Sequence, residues 1–148
     1  MKNKKILLVS HGWPLEEYGG VGLYVKMLLN ELHTMQHDLF LLTPREGKRF
    51  VVHRSDCDWG THFTIEQPPI SKFSQTWTWL ERDNYIEKIV TLIEPDVIHI
   101  HHLDRLGLRV WEKNLSNFPI LFTLHDYASI CSRGQLYDPT RKKMCSGP

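Results

Sequence analysis

The chain has 148 residues and a nearly balanced charge, with 18 Lys and Arg against 17 Asp and Glu. This length suits one domain with a proper core, and a net charge of +1 lacks the basic surplus that a nucleic-acid partner requires. The apolar run 6–9 behind the basic start is too short for a signal peptide or a membrane span. Three cysteines show no disulfide-framework spacing, so we expect a cytoplasmic protein with free thiols.

The first part of the chain predicts a strand, a glycine loop and a helix. Residues 5–9 form an aliphatic run typical of a central parallel strand, and the loop HGWPLEEYGGVG follows at 11–22. An apolar stripe at helical spacing comes next, formed by Val21, Tyr24, Val25, Leu28, Leu32 and Met35. The unpaired amides at the start of this helix would point to the carboxyl end of the strand, where they suit an anion.

The glycines of this loop allow two interpretations. Their pattern is GGxG, which is neither the dinucleotide pattern GxGxxG nor the phosphate-loop pattern GxxxxGK[ST]. Gly19 and Gly20 could bring the backbone close to a ligand, or they could form a tight loop that binds nothing.

The middle of the chain predicts further strands. A second strand covers 38–43 and ends at Pro44, and a charged turn follows at 45–48. Residues 50–54 and 62–67 flank the turn-prone DCDWG and predict an edge hairpin, one member of which joins the main sheet.

An aromatic-rich connection follows at 68–79. It either packs on the core of the chain or offers a surface to a partner or, by peripheral contact, to the inner face of the membrane.

The second half predicts a βαβ unit. A helix at 80–93 ends before Pro95, and two apolar runs, EPDVIHIHHL at 94–103 and FPILFTLHD at 118–126, read as parallel strands. A short helix with Leu103, Leu106 and Val110 on one side joins them. The fold class is therefore α/β, a Rossmann-like open twisted, mainly parallel sheet with helices on both faces. Because such sheets usually carry a sixth main strand and a further helix, we expect the domain to be incomplete.

The candidate site lies where these strands end. His101, His102, His125 and Asp126 follow the two apolar runs, and ligands of open α/β sheets bind at the carboxyl ends of strands. The carboxylate of Asp126 could orient or charge the imidazole of His125. Alternatively, Asp126 caps a helix or loop and His125 is merely exposed.

The sequence HIHH at 99–102 is also a candidate for metal binding. His99 and His101 lie on one face of a strand and His102 on the other, so one interpretation is a zinc site completed by His125 or Asp126. No third ligand at regular spacing supports it, and we expect no metal. Cys131 and Cys145 lack the spacing of zinc knuckles, and hydrolase signatures such as GxSxG are absent from the sequence.

The order of these motifs resembles a known family. KILLVS, then Pro14 and the pair Gly19-Gly20, then ELHTMQHDLFLLT, PDVIHIHHL and PILFTLHDYASIC resemble the N-terminal half of family 4-type (group 1) glycosyltransferases of the GT-B fold. The resemblance runs from about residue 4 to residue 133, except for 45–79. Each motif is modest alone, whereas their common order and spacing are fairly specific.

The resemblance implies a two-domain retaining enzyme that moves a sugar from a nucleotide diphosphate sugar to a glycan, a lipid-linked or another acceptor, with no cofactor or required metal. Gly19 and Gly20 would approach the donor diphosphate, and His125 would contact the transferred sugar and stabilise charge in the transition state. The residues expected on the acceptor side of the cleft are His11, His101, His102, Asp126 and Tyr127.

Two features depart from the family. Gln36-His37 replaces the usual Gly-His before the second strand, so the turn that ends the helix lacks its left-handed glycine. The C-terminal donor-binding domain is also not in these residues, so we expect this chain to be inactive alone. The competing hypothesis is a non-catalytic nucleotide- or phosphate-binding α/β module with a regulatory or scaffold role.

Overall fold

A computed structural model describes residues 3–12, 19–69, 78–113, 115–127 and 136–144. The elements in chain order are β1 (Lys5–Val9), α1 (Gly20–Thr34), β2 (Asp38–Glu46), β3 (Val51–Cys57), β4 (Gly60–Gln67), α2 (Leu80–Ile93), β5 (Val97–Ile100), α3 (Arg109–Lys113), β6 (Ile120–Phe122), β7 (Tyr137–Asp138) and β8 (Lys143–Met144). The first six strands form one sheet in the order β3-β4-β2-β1-β5-β6, and β7 and β8 form a separate hairpin. All neighbours in the six-stranded sheet are parallel except β3 and β4.

The sheet is covered on both faces, as the sequence predicts. On one face, α1 packs over Ile6, Leu8, Leu39 and Leu41. On the other face, α2 and α3 pack over a larger core that includes Leu7, Val9, Leu42, Phe63 and Ile65. Burial of each such side chain contributes about 1.5–3 kcal/mol, so the two cores fix the helices against the sheet. The Rossmann-like α/β fold is thus confirmed.

Strand β2 runs through Pro44 to Glu46, and the prediction that it ends before Pro44 is wrong. The carbonyl of Leu42 accepts from the amide of Ser10 on the β1 side, so the nitrogen of Pro44, two residues on, faces the same side. Strand β1 has ended at Val9, so no ladder hydrogen bond is lost there. Pairing with β4 carries β2 onward, and the predicted charged turn begins only after Glu46.

The predicted hairpin is present with longer strands. β3 and β4 pair antiparallel around a turn at Asp58 and Trp59, and β4 joins β2 in the main sheet. Gly60 closes the turn with φ +149, and a Cβ there would lie 2.2 Å from the carbonyl oxygen of Leu39. Only glycine fits this position, which explains the end of the DCDWG motif.

Helix α1 follows its predicted stripe in part. Gly22, Val25 and Leu29 are buried, whereas Tyr24 and Met35 are 44% and 50% exposed. The buried face of α1 is therefore narrower than the predicted stripe, because Tyr24 and Met35 do not belong to it.

Helix α1 ends in a residue with a left-handed backbone, although that residue is not a glycine. Gln36 has φ +62, its amide donates to the carbonyl of His33, and the amide of His37 donates to that of Leu32. This is the hydrogen-bond pattern of a Schellman cap, formed here by a glutamine.

The predicted βαβ unit is also present. In α2, Ile86, Ile89, Val90 and Ile93 are buried, and β5 and β6 pair in parallel. Strand β6 is short, and its three residues are exposed. No helix in the described part of the chain is long and apolar enough to cross a membrane. Within the aromatic-rich connection, Phe73 and Trp77 lie outside the described residues, and the ring centroid of Trp79 lies 5.4 Å from that of Phe50.

Candidate functional site

The carboxyl ends of β1, β5 and β6 meet at one edge of the sheet. The amide of His101 donates to the carbonyl of Val9 at 2.8 Å, and the amide of Thr123 donates to that of Ile100 at 2.9 Å. These bonds align the residues that follow each strand. The group formed by His11, His101, His102, His125 and Asp126 is called the histidine edge below.

His101 and His125 form a hydrogen-bonded pair. His101 Nδ1 lies 3.2 Å from His125 Nε2, and one of these nitrogens must donate its proton to the other. His101 is 1% exposed and its backbone is held by β1, whereas His125 is half-buried. The buried ring therefore fixes the orientation of the more accessible one.

His99 supports this pair from within the strand. Its ring centroid lies 4.0 Å from that of His101, which confirms that the two share a face of β5. His99 Nε2 is 2.8 Å from the hydroxyl of Thr123, so this histidine is a hydrogen-bonded structural residue.

Burial keeps these imidazoles neutral. It lowers the pKa of His101 to about 3, with His99 and His125 adding to the effect. The pKa of His99 is lowered by burial and then by His125. For His125, burial and then His102 lower the pKa, while Asp126 opposes them.

His102 has a defined tautomer. The amide of Asp104 donates to its Nδ1 at 3.1 Å, so that nitrogen carries no proton. Its Nε2 lies 3.2 Å from the carboxylate of Asp126 and must be the donor. His102 therefore donates a hydrogen bond to Asp126 through Nε2. The ring of His11 packs on His102 with centroids 4.5 Å apart, which joins the end of β1 to the group.

Tyr24 of α1 completes the site, although its spacing in the sequence predicts a place in the apolar stripe. Its ring centroid lies 5.5 Å from that of His101 and 5.0 Å from that of His125. Helix α1 begins at Gly20, one turn before Tyr24, so the start of the helix and His125 lie on the same side of the molecule. An aromatic residue one turn inside a helix that follows a glycine loop is the signal that could have revealed it.

The start of α1 leaves its first amides available. The first bond within the helix runs from Leu23 N to Gly19 O, so the amides of residues 20–22 have no acceptor in the helix, and Gly19 supplies no side-chain cap. Gly19 is extended at φ −166, and a Cβ at either Gly19 or Gly20 would meet no described atom within 4 Å. Neither the local backbone conformation nor crowding by described atoms requires glycine at these two positions. Access of a ligand to the amides would explain the choice of glycine.

The structure does not bring every candidate together. Tyr127 is 52% exposed and makes no hydrogen bond or ring contact with the histidine edge. Cys131 and Cys145 lie outside the described residues. Among the residues that are described, no group of three or more His, Cys, Asp or Glu side chains could hold a metal ion.

The structure also contains a cavity that no sequence motif predicts. An open cavity of about 360 Å³ lies over β2, β3 and β4 and reaches Gly12, the neighbour of His11. The sequence contains no motif for it, since its lining residues come from separate strands.

Comparisons with known proteins agree with this architecture. The fold is that of a Rossmann-like domain of the GT-B glycosyltransferases. Sucrose-phosphate synthase from Thermosynechococcus elongatus matches with a TM-score of 0.61 and 19% identity over 94% of this chain and 38% of its own. The E. coli structure described as trehalose-6-phosphate bound with UDP-2-fluoro glucose matches with a TM-score of 0.55 and 13% identity, over 82% of this chain and 33% of its own.

The family assignment follows from the sequence model. The model described as Glycosyltransferase Family 4 matches residues 18–144, and the chain belongs to this family. The predicted resemblance is thus confirmed. A search of curated proteins gave no match. The chain spans well under half the length of each of these two structures.

Proposed function

We propose that this chain is the acceptor-side domain of a retaining glycosyltransferase that takes its sugar from a nucleotide diphosphate sugar and passes it to a glycan, a lipid-linked or another acceptor. The enzyme acts in the cytoplasm with a second, donor-binding domain and needs no metal ion. The observation that carries the proposal is the juxtaposition of His125 with the uncapped start of α1, which Tyr24 bridges.

The start of α1 supports binding of the donor diphosphate. Three amides without helical acceptors point out of the helix start, and the helix dipole adds a partial positive charge there. When the bond between the sugar and the diphosphate breaks, the electron pair leaves with the diphosphate. Negative charge then grows where these amides stabilise it.

His125 suits the opposite charge on the sugar. As the donor bond breaks, positive charge develops at the sugar ring, and an imidazolium would repel it. Because burial lowers the pKa of His125, the neutral ring faces the reacting carbon instead. The bond to His101 occupies Nε2, so Nδ1 is the nitrogen that remains to contact the sugar.

The first prediction concerns His125→Ala in the full-length protein. We expect nucleoside diphosphate release from a panel of nucleotide sugars to fall by about two orders of magnitude, the size typical of losing one group that stabilises a transition state. His33→Ala is the matched control, because it removes an exposed histidine near the other end of α1.

The outcome also separates the two hypotheses. Turnover that survives His125→Ala unchanged would contradict the catalytic role. A full-length protein that binds nucleoside diphosphates but turns over none of the donors would favour the non-catalytic module, since an uncapped helix start binds phosphate in either case.

A further inference from the structure

The cavity over β2, β3 and β4 has a polar lining. The three strands supply most of the lining, namely Thr43, Pro44, Arg45, Glu46, Ser55, Cys57, His62 and Thr64, and Gly12 and Arg105 complete it. A volume of about 360 Å³ lies at the lower end of the range for small-molecule sites.

Strand register explains the row of hydroxyls. Thr43 pairs with Thr64, and Ser55 pairs with His62, so these side chains lie on one face of the sheet. Their neighbours Leu42, Phe63 and Ile65 point to the core on the other face.

His62 organises these hydroxyls. Its Nε2 lies 2.8 Å from the Thr43 hydroxyl and 3.2 Å from that of Thr64, and burial lowers the pKa of His62 to about 4. One neutral ring nitrogen cannot use up both hydroxyl groups, so donor and acceptor capacity is left for a ligand.

Arg105 is the cavity-lining cation whose side chain has no partner among the described residues. Its guanidinium has no hydrogen bond or ion pair among the described residues, whereas Arg45 is held by Glu66. Its backbone is left-handed at φ +64 and is held there by hydrogen bonds from Gln67 and Arg82 to its carbonyl oxygen. Such a conformation costs about 1–3 kcal/mol, and these two hydrogen bonds hold the backbone of Arg105 in it beside the cavity.

We propose that this cavity binds the acceptor as a polyhydroxylated ring that carries an anionic group, with its hydroxyls on Thr43 and Thr64, which His62 orients, and its anion on Arg105. A guanidinium pairs with either a phosphate or a carboxylate through two parallel hydrogen bonds. This inference rests on the proposed transferase function. Gly12 connects the two regions, because it lines the cavity next to His11 of the histidine edge.

The test is a binding titration of the full-length protein, without donor, followed through backbone amide NMR shifts at Gly12, Thr43 and Thr64. The probes are glucose 6-phosphate, glucuronate and glucose. We expect saturable shifts at these amides, with one anionic sugar binding at least about tenfold tighter than glucose, as a charged hydrogen bond provides. The stronger of the two identifies phosphate or carboxylate as the natural group.

Two variants isolate the guanidinium. Arg105→Gly removes it and also relieves the left-handed backbone, so the fold is retained while the preference for anionic sugars is lost. Lys142→Gly is the matched control, because it removes another cation at a left-handed position, φ +50, in the β7-β8 hairpin. It should leave all three affinities unchanged.

The results distinguish this inference from the proposed function. Equal affinity for all three sugars, no shifts at the cavity amides, or an anion preference that survives Arg105→Gly would overturn the cavity assignment even if the protein transfers sugar. Anion-selective binding at the cavity in a protein that turns over no nucleotide sugar would support the cavity and remove the transferase proposal.

Discussion

The histidine edge and the cavity over β2, β3 and β4 adjoin at Gly12 but are encoded differently. The residues of the histidine edge follow β1, β5 and β6 directly, so the sequence shows them as polar residues behind apolar runs. The cavity lining alternates with core residues inside β2, β3 and β4, where a hydroxyl looks like any outward-facing strand residue. Sites at strand ends can be read from sequence, whereas sites on strand faces need the register.

Each of the two regions contains a buried neutral histidine. Lowering the pH should therefore reduce the stability of the fold. The pKa is about 4 for His62 and about 3 for His101, below the ordinary value of 6.5. Between pH 6.5 and about 4 the unfolded chain binds protons that the folded chain does not, so stability falls with falling pH. Each histidine contributes about 1.4 kcal/mol per pH unit, or roughly 3 kcal/mol over this window.

Urea unfolding between pH 7 and pH 4.5 measures this effect. His62→Gln removes the titrating imidazole of the cavity, and His101→Asn removes that of the histidine edge. In both cases the slope of the unfolding free energy against pH should be smaller than in the wild type. If neither variant changes the slope, the two imidazoles are not the buried neutral groups that the structure shows.

The next largest expected effect is a loss of activity when His101 is replaced. It tests whether His101 positions another residue or takes part in the reaction itself. His101 touches His125 and not the outside, so we infer that it acts by orienting the His125 ring. His101→Leu should lower kcat by about tenfold with little change in donor KM, the scale of one misplaced hydrogen bond. His101→Asn keeps a polar atom near the position of Nδ1 and should recover most of the activity.

The pH profile of the same variants is the second measurement. Loss of the His101 contact should shift the acidic limb of kcat, because the pKa of His125 then changes, whereas a cavity variant should leave that limb in place. An identical profile in wild type and His101→Leu would contradict a positioning role.

The smallest expected effect is a gain in stability at Gln36, a residue outside both regions. Gln36→Gly should raise the free energy of unfolding by about 0.5–1 kcal/mol, because glycine adopts the left-handed cap without the steric penalty of a side chain. Urea unfolding measures it, with Gln36→Ala as the control that should give no gain. Donor turnover and sugar binding should both stay unchanged, since Gln36 is at the opposite end of α1 from Tyr24.

The sequence alone determined the elements that depend on local pattern. The aliphatic run of β1, the helical spacing of α2 and the two histidine-tipped strands were all predicted with correct type and pairing. The meeting of His101, His125 and Asp126 at one edge also followed, because parallel strands end on the same side. These features need only periodicity and chain direction.

Tertiary structure decided what depends on neighbours far along the chain. Pro44 stays in a strand because β1 stops beside it, and Tyr24 leaves the apolar stripe because two imidazoles face it. The cavity exists because three strands bring Thr43, Ser55 and His62 to one face in register. Periodicity tells which way a side chain points along its own strand, but the residue across from it is set only when the sheet has formed.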